Sequence, residues 1–172
     1  MKLYRAKIPI IAKEVVDTLV RDGDIEVLPE NREEAERDFI AIQEEYIRRD
    51  MEFRNRIRDQ MANHSIPYNR YGKVRSQMSE ETGHPLGDDV ERFLCRQFIE
   101  NLMISRFVEE VWSEDRVLYK KVMAILKSHD VDDREIREEA ISHIKNVREG
   151  TVDYEIALSA AMKDIRKRRG LI

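Results

Sequence analysis

Apolar residues recur along this chain every three or four positions, in blocks separated by polar caps, and that spacing predicts helices almost throughout. In residues 8–21, Ile8, Ile11, Ala12, Val15, Val16 and Leu19 fall on one face, with Pro9 tolerable in the first turn. Asp22-Gly23-Asp24 stops this helix, with Gly23 suited to the left-handed position past its end. Ile25–Leu28 reads as a short extended pairing segment or as a helical bend before Pro29. Residues 30–62 then form one long helix, about 50 Å at 1.5 Å per residue. Its seam runs Phe39, Ile42, Tyr46, Phe53 and Ile57, with Arg49 at the seam position between Tyr46 and Phe53 and Met61 extending it. Such a narrow stripe packs on one or two neighbours, as in a coiled coil. Ser65 is placed to cap a third helix from Pro67 to about Thr82. Gly83, Pro85 and Gly87 mark the midpoint.

After the midpoint the pattern resumes. Phe93, Leu94, Phe98, Leu102 and Met103 face inward, and Phe107, Val108 and Val111 continue the pattern. Ser113-Glu114-Asp115 is expected to cap a helix whose inner residues are Leu118, Val122, Ile125 and Leu126. Ser128-His129-Asp130 breaks it. Asp132 and Glu135 resemble a capping box ahead of a stripe formed by Ile136, Ala140, Ile144 and Val147. Thr151 caps a last helix with Tyr154, Leu158, Ala161 and Ile165 inside. Trp112, at a helix junction, reads as a packing anchor.

Landmarks of the two halves match at separations of roughly 84 to 87 residues, the kind of recurrence a tandem duplication leaves. Val27-Leu28-Pro29-Glu30-Asn31-Arg32 aligns with Val111-Trp112-Ser113-Glu114-Asp115-Arg116. Ser65-Ile66-Pro67-Tyr68 aligns with Thr151-Val152-Asp153-Tyr154, and Gly83 with Gly170. The expected fold is all-α: two pseudo-repeated three-helix units, 1–86 and 87–172, packed together and able to share one core. The long helix is broken in the second unit, and the extended segment near 25–28 is at most minor.

Composition narrows the function classes. The chain is 41% hydrophobic and 38% charged, and the charges interleave with apolar residues as on exposed helix faces. A net charge of −4 argues against a general nucleic-acid coat protein but leaves room for a local basic patch. One cysteine, Cys95, allows no internal disulfide, and a reducing cytoplasm is the natural compartment. The opening residues lack the core and cleavage site of a signal peptide. No apolar run approaches the roughly 20 residues of a membrane span.

Three segments carry a family resemblance. They are Met1–Ile8, the Val-Val-Asp-Thr-Leu-Val-Arg-Asp-Gly-Asp-Ile-Glu-Val run at 15–27, and the ending Glu-Gly-Thr-Val-Asp-Tyr-Glu-Ile-Ala-Leu at 149–158 with Arg-Lys-Arg-Arg-Gly-Leu at 166–171. The chain resembles, over essentially its whole length, the uncharacterised bacterial family catalogued as domain of unknown function number five hundred and seven. The resemblance implies a bacterial, cytoplasmic helical protein and brings no activity or functional residue with it.

No catalytic or cofactor motif stands above the helical background. Cys95 lies on an apolar helix without a local histidine and reads as a buried structural thiol. Of His64, His84, His129 and His143, only His143 has a carboxylate, Glu139, at a spacing that shares a helix face; one such pair is weak as a metal site. His129–Asp133 lacks the glycine and terminal glutamate of a calcium loop. No phosphate-binding glycine loop and no Glu-x-x-His element occur. No catalytic residue, metal, cofactor or small-molecule substrate is therefore expected.

Two basic segments remain. One contains Tyr68, Arg70, Tyr71, Lys73 and Arg75 with no acid; the other contains Lys163, Arg166, Lys167, Arg168 and Arg169. Cations can hold phosphates while tyrosines stack on bases; a solvated face, or cations favouring a helix C-terminus, is the plainer reading. The leading expectation is a non-enzymatic interaction or adaptor protein. Its long helix and the counterpart would present acidic surfaces to a protein partner or a second copy. The alternative is a nucleic-acid- or ribosome-associated protein using the two basic third helices.

Overall fold

A computed structural model describes residues 1–144 and 147–172. Helices account for 74% of the chain. In chain order the elements are α1 (Ile8–Arg21), β1 (Ile25–Glu26), α2 (Arg32–Asn63), α3 (Tyr71–Thr82), α4 (Asp89–Ile104), β2 (Glu110–Val111), α5 (Asp115–Ser128), α6 (Asp133–His143) and α7 (Val152–Arg168). Single 3-10 turns precede α1, α2 and α3.

The apolar face predicted for α1 is buried along its length, from Ile8 to Leu19. The chain then leaves through a Schellman turn: Gly23 sits at φ +74°, its N–H donates to the Val20 carbonyl, and Asp24 N–H donates to that of Leu19. This turn delivers Ile25 and Glu26 to an antiparallel pairing with β2, Ile25 opposite Val111 and Glu26 opposite Glu110. The segment at 25–28 is thus extended, over two residues. Its partner corrects an expectation, because the helical pattern does not continue through Phe107, Val108 and Val111. Helix α4 ends at Ile104, where Ser105 turns to an extended conformation. There the Ser105 hydroxyl donates to Asp38 and accepts from the Phe107 N–H.

The principal core joins α1, β1, the first half of α2, α4 and α5, so it draws on both sides of residue 86. Phe39 of α2 and Phe98 of α4 meet at its centre, ring centroids 4.6 Å apart. Asp24 ties the halves together: its carboxylate accepts from Ser113 Oγ (2.6 Å) and Lys121 Nζ (2.5 Å), and its carbonyl accepts from Trp112 N. Ser113 is therefore spent on Asp24 and does not cap α5, and no side chain caps that helix. Trp112 is no packing anchor. Its backbone is held against Asp24 while its indole is 66% exposed.

The α2 seam is buried at Ala35, Phe39, Gln43, Tyr46, Phe53, Ile57 and Met61. Spacing of four then three through 39, 43, 46, 50, 53 and 57 is a heptad seam, with polar residues at two of its positions. Gln43 replaces the expected Ile42 and donates from Nε2 to the carbonyls of Ile8 and Phe39. Asp50 replaces Arg49, which lies outside and pairs with Glu45. Hydrophobicity alone selects the wrong neighbour at both places.

Two smaller clusters flank the core. One packs α6 on α7 with Tyr4 and Leu171; the other packs the far half of α2 on α3. Thr151 caps α7 through the Tyr154 N–H, and Asp132 caps α6 through the Arg134 N–H. Helix α6 ends at His143, short of the predicted stripe at Ile144 and Val147; the part of that stripe crossing Lys145 and Asn146 lies outside the described residues. Ser65 does not cap α3. It takes the left-handed position that ends α2, with φ 51°.

Candidate nucleic-acid interface

Helix α2 runs past the principal core and carries its seam with it. Phe53, Ile57 and Met61 would be bare there, and α3 covers them with Val74 and Met78. The returning chain is pinned by His84. Its Nε2 lies 3.2 Å from Asp50 Oδ1. Its ring stacks on Phe53 (centroids 4.3 Å, 21°) and on Tyr46 (5.9 Å, 10°). Ser79 Oγ donates to the His84 carbonyl at 2.6 Å. Burial raises the Tyr46 hydroxyl, helped by Asp50 and opposed by Arg54 and Arg75, so both arginines lie on the Tyr46 side of this hairpin.

The hairpin's tip is basic. Residues 53–75 hold Arg54, Arg56, Arg58, Arg70, Lys73 and Arg75 against one carboxylate, Asp59; six positive minus one negative leaves +5 within a chain of −4. Arg54 pairs with Asp50. Among the described residues the other five cations have no carboxylate partner within ion-pair distance. Arg70 and Lys73 stand at the N-terminal end of α3, which has no side-chain cap and no acid in its first turn. The helix dipole is positive there and disfavours cations, so dipole complementarity does not account for them. Tyr68 projects from the turn before α3, 82% exposed, and stacks on Tyr71 with centroids 5.7 Å apart.

The second basic segment sits differently. Arg166, Lys167 and Arg168 occupy the last turn of α7, where the dipole favours them. Arg166 Nη2 meets Asp133 at 3.2 Å, and Arg169 Nη2 meets Glu139 at 2.6 Å, with Arg168 4.0 Å from the same carboxylate. Burial works against the charge of Arg166, but its hydrogen bond with Tyr4 and the nearby Asp133 outweigh burial and raise its pKa. The Tyr4 hydroxyl is pushed up to about 12 by burial and by donating to Asp133. Only Lys163 and Lys167 of this segment are exposed without a carboxylate partner among the described residues. The two segments are therefore not equivalent.

Sequence reasoning found Tyr68 to Arg75 and missed Arg54, Arg56 and Arg58, which lie across a helix end. A charge count over 53–75 that ignored the predicted break would have found them.

Elsewhere the polar groups are built in. Cys95 is fully buried, its Sγ is 3.6 Å from the Tyr119 carbonyl, and burial pushes its thiol up to about 12, far from a nucleophilic thiolate. His129 Nε2 lies 2.6 Å from Glu14 Oε2, joining α1 to the end of α5. Among the described residues no three His, Cys, Asp or Glu side chains converge as a metal site would require. No helix among them is long and apolar enough to cross a membrane.

A family model described as "Protein of unknown function (DUF507)" matches residues 1–171. None of the curated proteins matches the chain.

Proposed function

This chain belongs to that family of unknown function, and we propose that it is a non-catalytic binding protein of the bacterial cytoplasm whose ligand is nucleic acid, held at the tip of the α2–α3 hairpin. The observation that carries this reading is the +5 tip on an acidic protein, with the stacked pair Tyr68 and Tyr71 standing out from it. Unpaired arginines and a lysine bind phosphates by releasing counterions. An exposed tyrosine offers a π-face to any base and favours single strands, whose bases are free to stack. The overall −4 keeps the rest of the surface from binding polyanions indiscriminately.

Fluorescence anisotropy with labelled single-stranded RNA and DNA, across a salt series, tests this. Binding weakens steeply with salt, and the double variant Arg70→Glu/Lys73→Glu lowers the log–log slope by about 2, one for each phosphate no longer neutralised. Lys163→Glu/Lys167→Glu changes it little. No binding at low salt, or a slope the Arg70/Lys73 variant leaves alone, defeats the reading.

A helical adaptor that holds a protein partner is the second reading, and the exposed indole of Trp112 favours it. The acidic flank of α2 is a poorer candidate for that contact. Its arginines are engaged along the helix itself, Arg48 with Glu45 and Glu52, and Arg37 with Glu34.

A further inference from the structure

Helices α4 and α5 run antiparallel, since Cys95 lies against Tyr119 while Ile99 and Glu100 lie across from Asp115 and Arg116. Between them is an open groove lined by Arg96, Ile99, Glu100, Asp115, Arg116 and Tyr119. Two features set it apart from the rest of the surface.

The first is apolar exposure. Tyr119 is 36% exposed. Met103 continues the Ile99 face one turn on, at 52%, and Ile104 beside it is 82% exposed. Trp112 immediately precedes α5 at that same end. A tryptophan, a tyrosine, a methionine and two arginines are the residue types enriched where proteins meet.

The second is unspent charge. Arg96, Glu100, Asp115 and Arg116 are all exposed. Among the described residues none of the four is in an ion pair, and Glu100 accepts only from Gln97 Nε2. This contrasts with α2, whose outer charges pair along the helix.

We propose that this groove is where two copies of the chain meet about a two-fold axis. The charge pattern selects the occupant. Two cations and two carboxylates on one patch are complementary to themselves, because a two-fold axis sets residue i against j and j against i. An acidic partner would repel Glu100 and Asp115, and a basic one would repel Arg96 and Arg116; either would leave half the rim unpaired. A second copy satisfies both signs while covering Trp112 and Met103. The inference is independent of the nucleic-acid reading, since the tip of the hairpin lies on other elements.

Light scattering coupled to size exclusion, from about 1 to about 100 μM, a range that covers ordinary dimer affinities, reads the outcome on the full chain. The wild type runs as a dimer. Trp112→Ala, at an exposed position that leaves the fold intact, weakens the dimer at least tenfold, as loss of a central aromatic does. Arg96→Glu/Arg116→Glu and Glu100→Lys/Asp115→Lys are each monomeric, and an equimolar mixture of the two variants restores a dimer. Circular dichroism verifies that each variant keeps its helices; if a charge variant does not, the wild-type and Trp112→Ala results decide alone. A monomeric wild type overturns the proposal. So does a dimer that Trp112→Ala leaves at full strength, or folded charge variants that fail to recombine.

Discussion

At the scale of single residues, the chain holds polar groups where an apolar pattern predicts none, and each has an identifiable role. Gln43 and Asp50 occupy seam positions of α2; one donates to two backbone carbonyls and the other holds His84. Ser65 occupies a left-handed position that ordinarily falls to glycine, because the chain must turn sharply after Asn63 for Ile66 N–H to reach the Met61 carbonyl. A side chain there costs about 1–2 kcal/mol. Glycine removes that cost but loses part of the gain to its freer unfolded chain. Ser65→Gly is expected to stabilise the protein by up to about 1 kcal/mol, measured as a shift in urea midpoint at constant slope; a lowered midpoint contradicts the strain argument. Asp133 supplies a pH signature. Burial works to raise its pKa, but hydrogen bonds from Lys2 and Tyr4 and the charges of Lys2 and Arg166 prevail and hold it below the usual carboxylate range. A depressed folded pKa means stabilisation that is present above the unfolded value and lost as pH falls through the folded one. Stability of the wild type should therefore fall from about pH 4 downward, and Asp133→Asn should flatten that limb when unfolding is followed against pH. Equal slopes for both proteins would contradict it.

At the scale of elements, the same helical stripe serves different ends in different places. The first half of α2 is a core helix; the second half is an arm that only α3 covers. That difference turns the α2–α3 hairpin into a protruding basic tip. Tyr68→Ala should weaken single-stranded nucleic-acid binding by about 1–3 kcal/mol per stacked base while leaving the salt slope unchanged, because stacking releases no counterions. Titrations at two salt concentrations separate this from the Arg70/Lys73 effect, and a changed slope would assign Tyr68 an electrostatic role instead. Helix α7 has a similar run of cations but at its C-terminal end, where Asp133, Glu139 and the dipole occupy most of them. Charge composition alone treats the two segments as alike, and helix polarity separates them.

At the scale of the whole molecule, helix, strand and helix follow in the same order in each half, and the two strands pair with each other. This is the arrangement a duplication followed by mutual packing would leave. The principal core takes Phe39 from one half and Phe98 from the other. Fragments 1–86 and 87–172 each expose apolar surface when apart. Neither is expected to unfold cooperatively alone, and mixing them should restore a single transition by circular dichroism; a cooperative transition in either isolated fragment would show two independent cores. What the sequence by itself determined is the set of helices, their inner faces and most of their ends. Those follow from local spacing and from residues such as Gly23, Asp132 and Thr151 that act within one turn. Only the tertiary structure decided which neighbour each stripe meets. Trp112 lies outside because Asp24 takes its backbone, and Val111 leaves the helix because Ile25 waits to pair with it. Arg56 and Arg58 join Arg70 and Lys73 because α3 folds back on α2. Each of these depends on residues tens of positions apart, and a periodicity that spans a few turns contains no information about them.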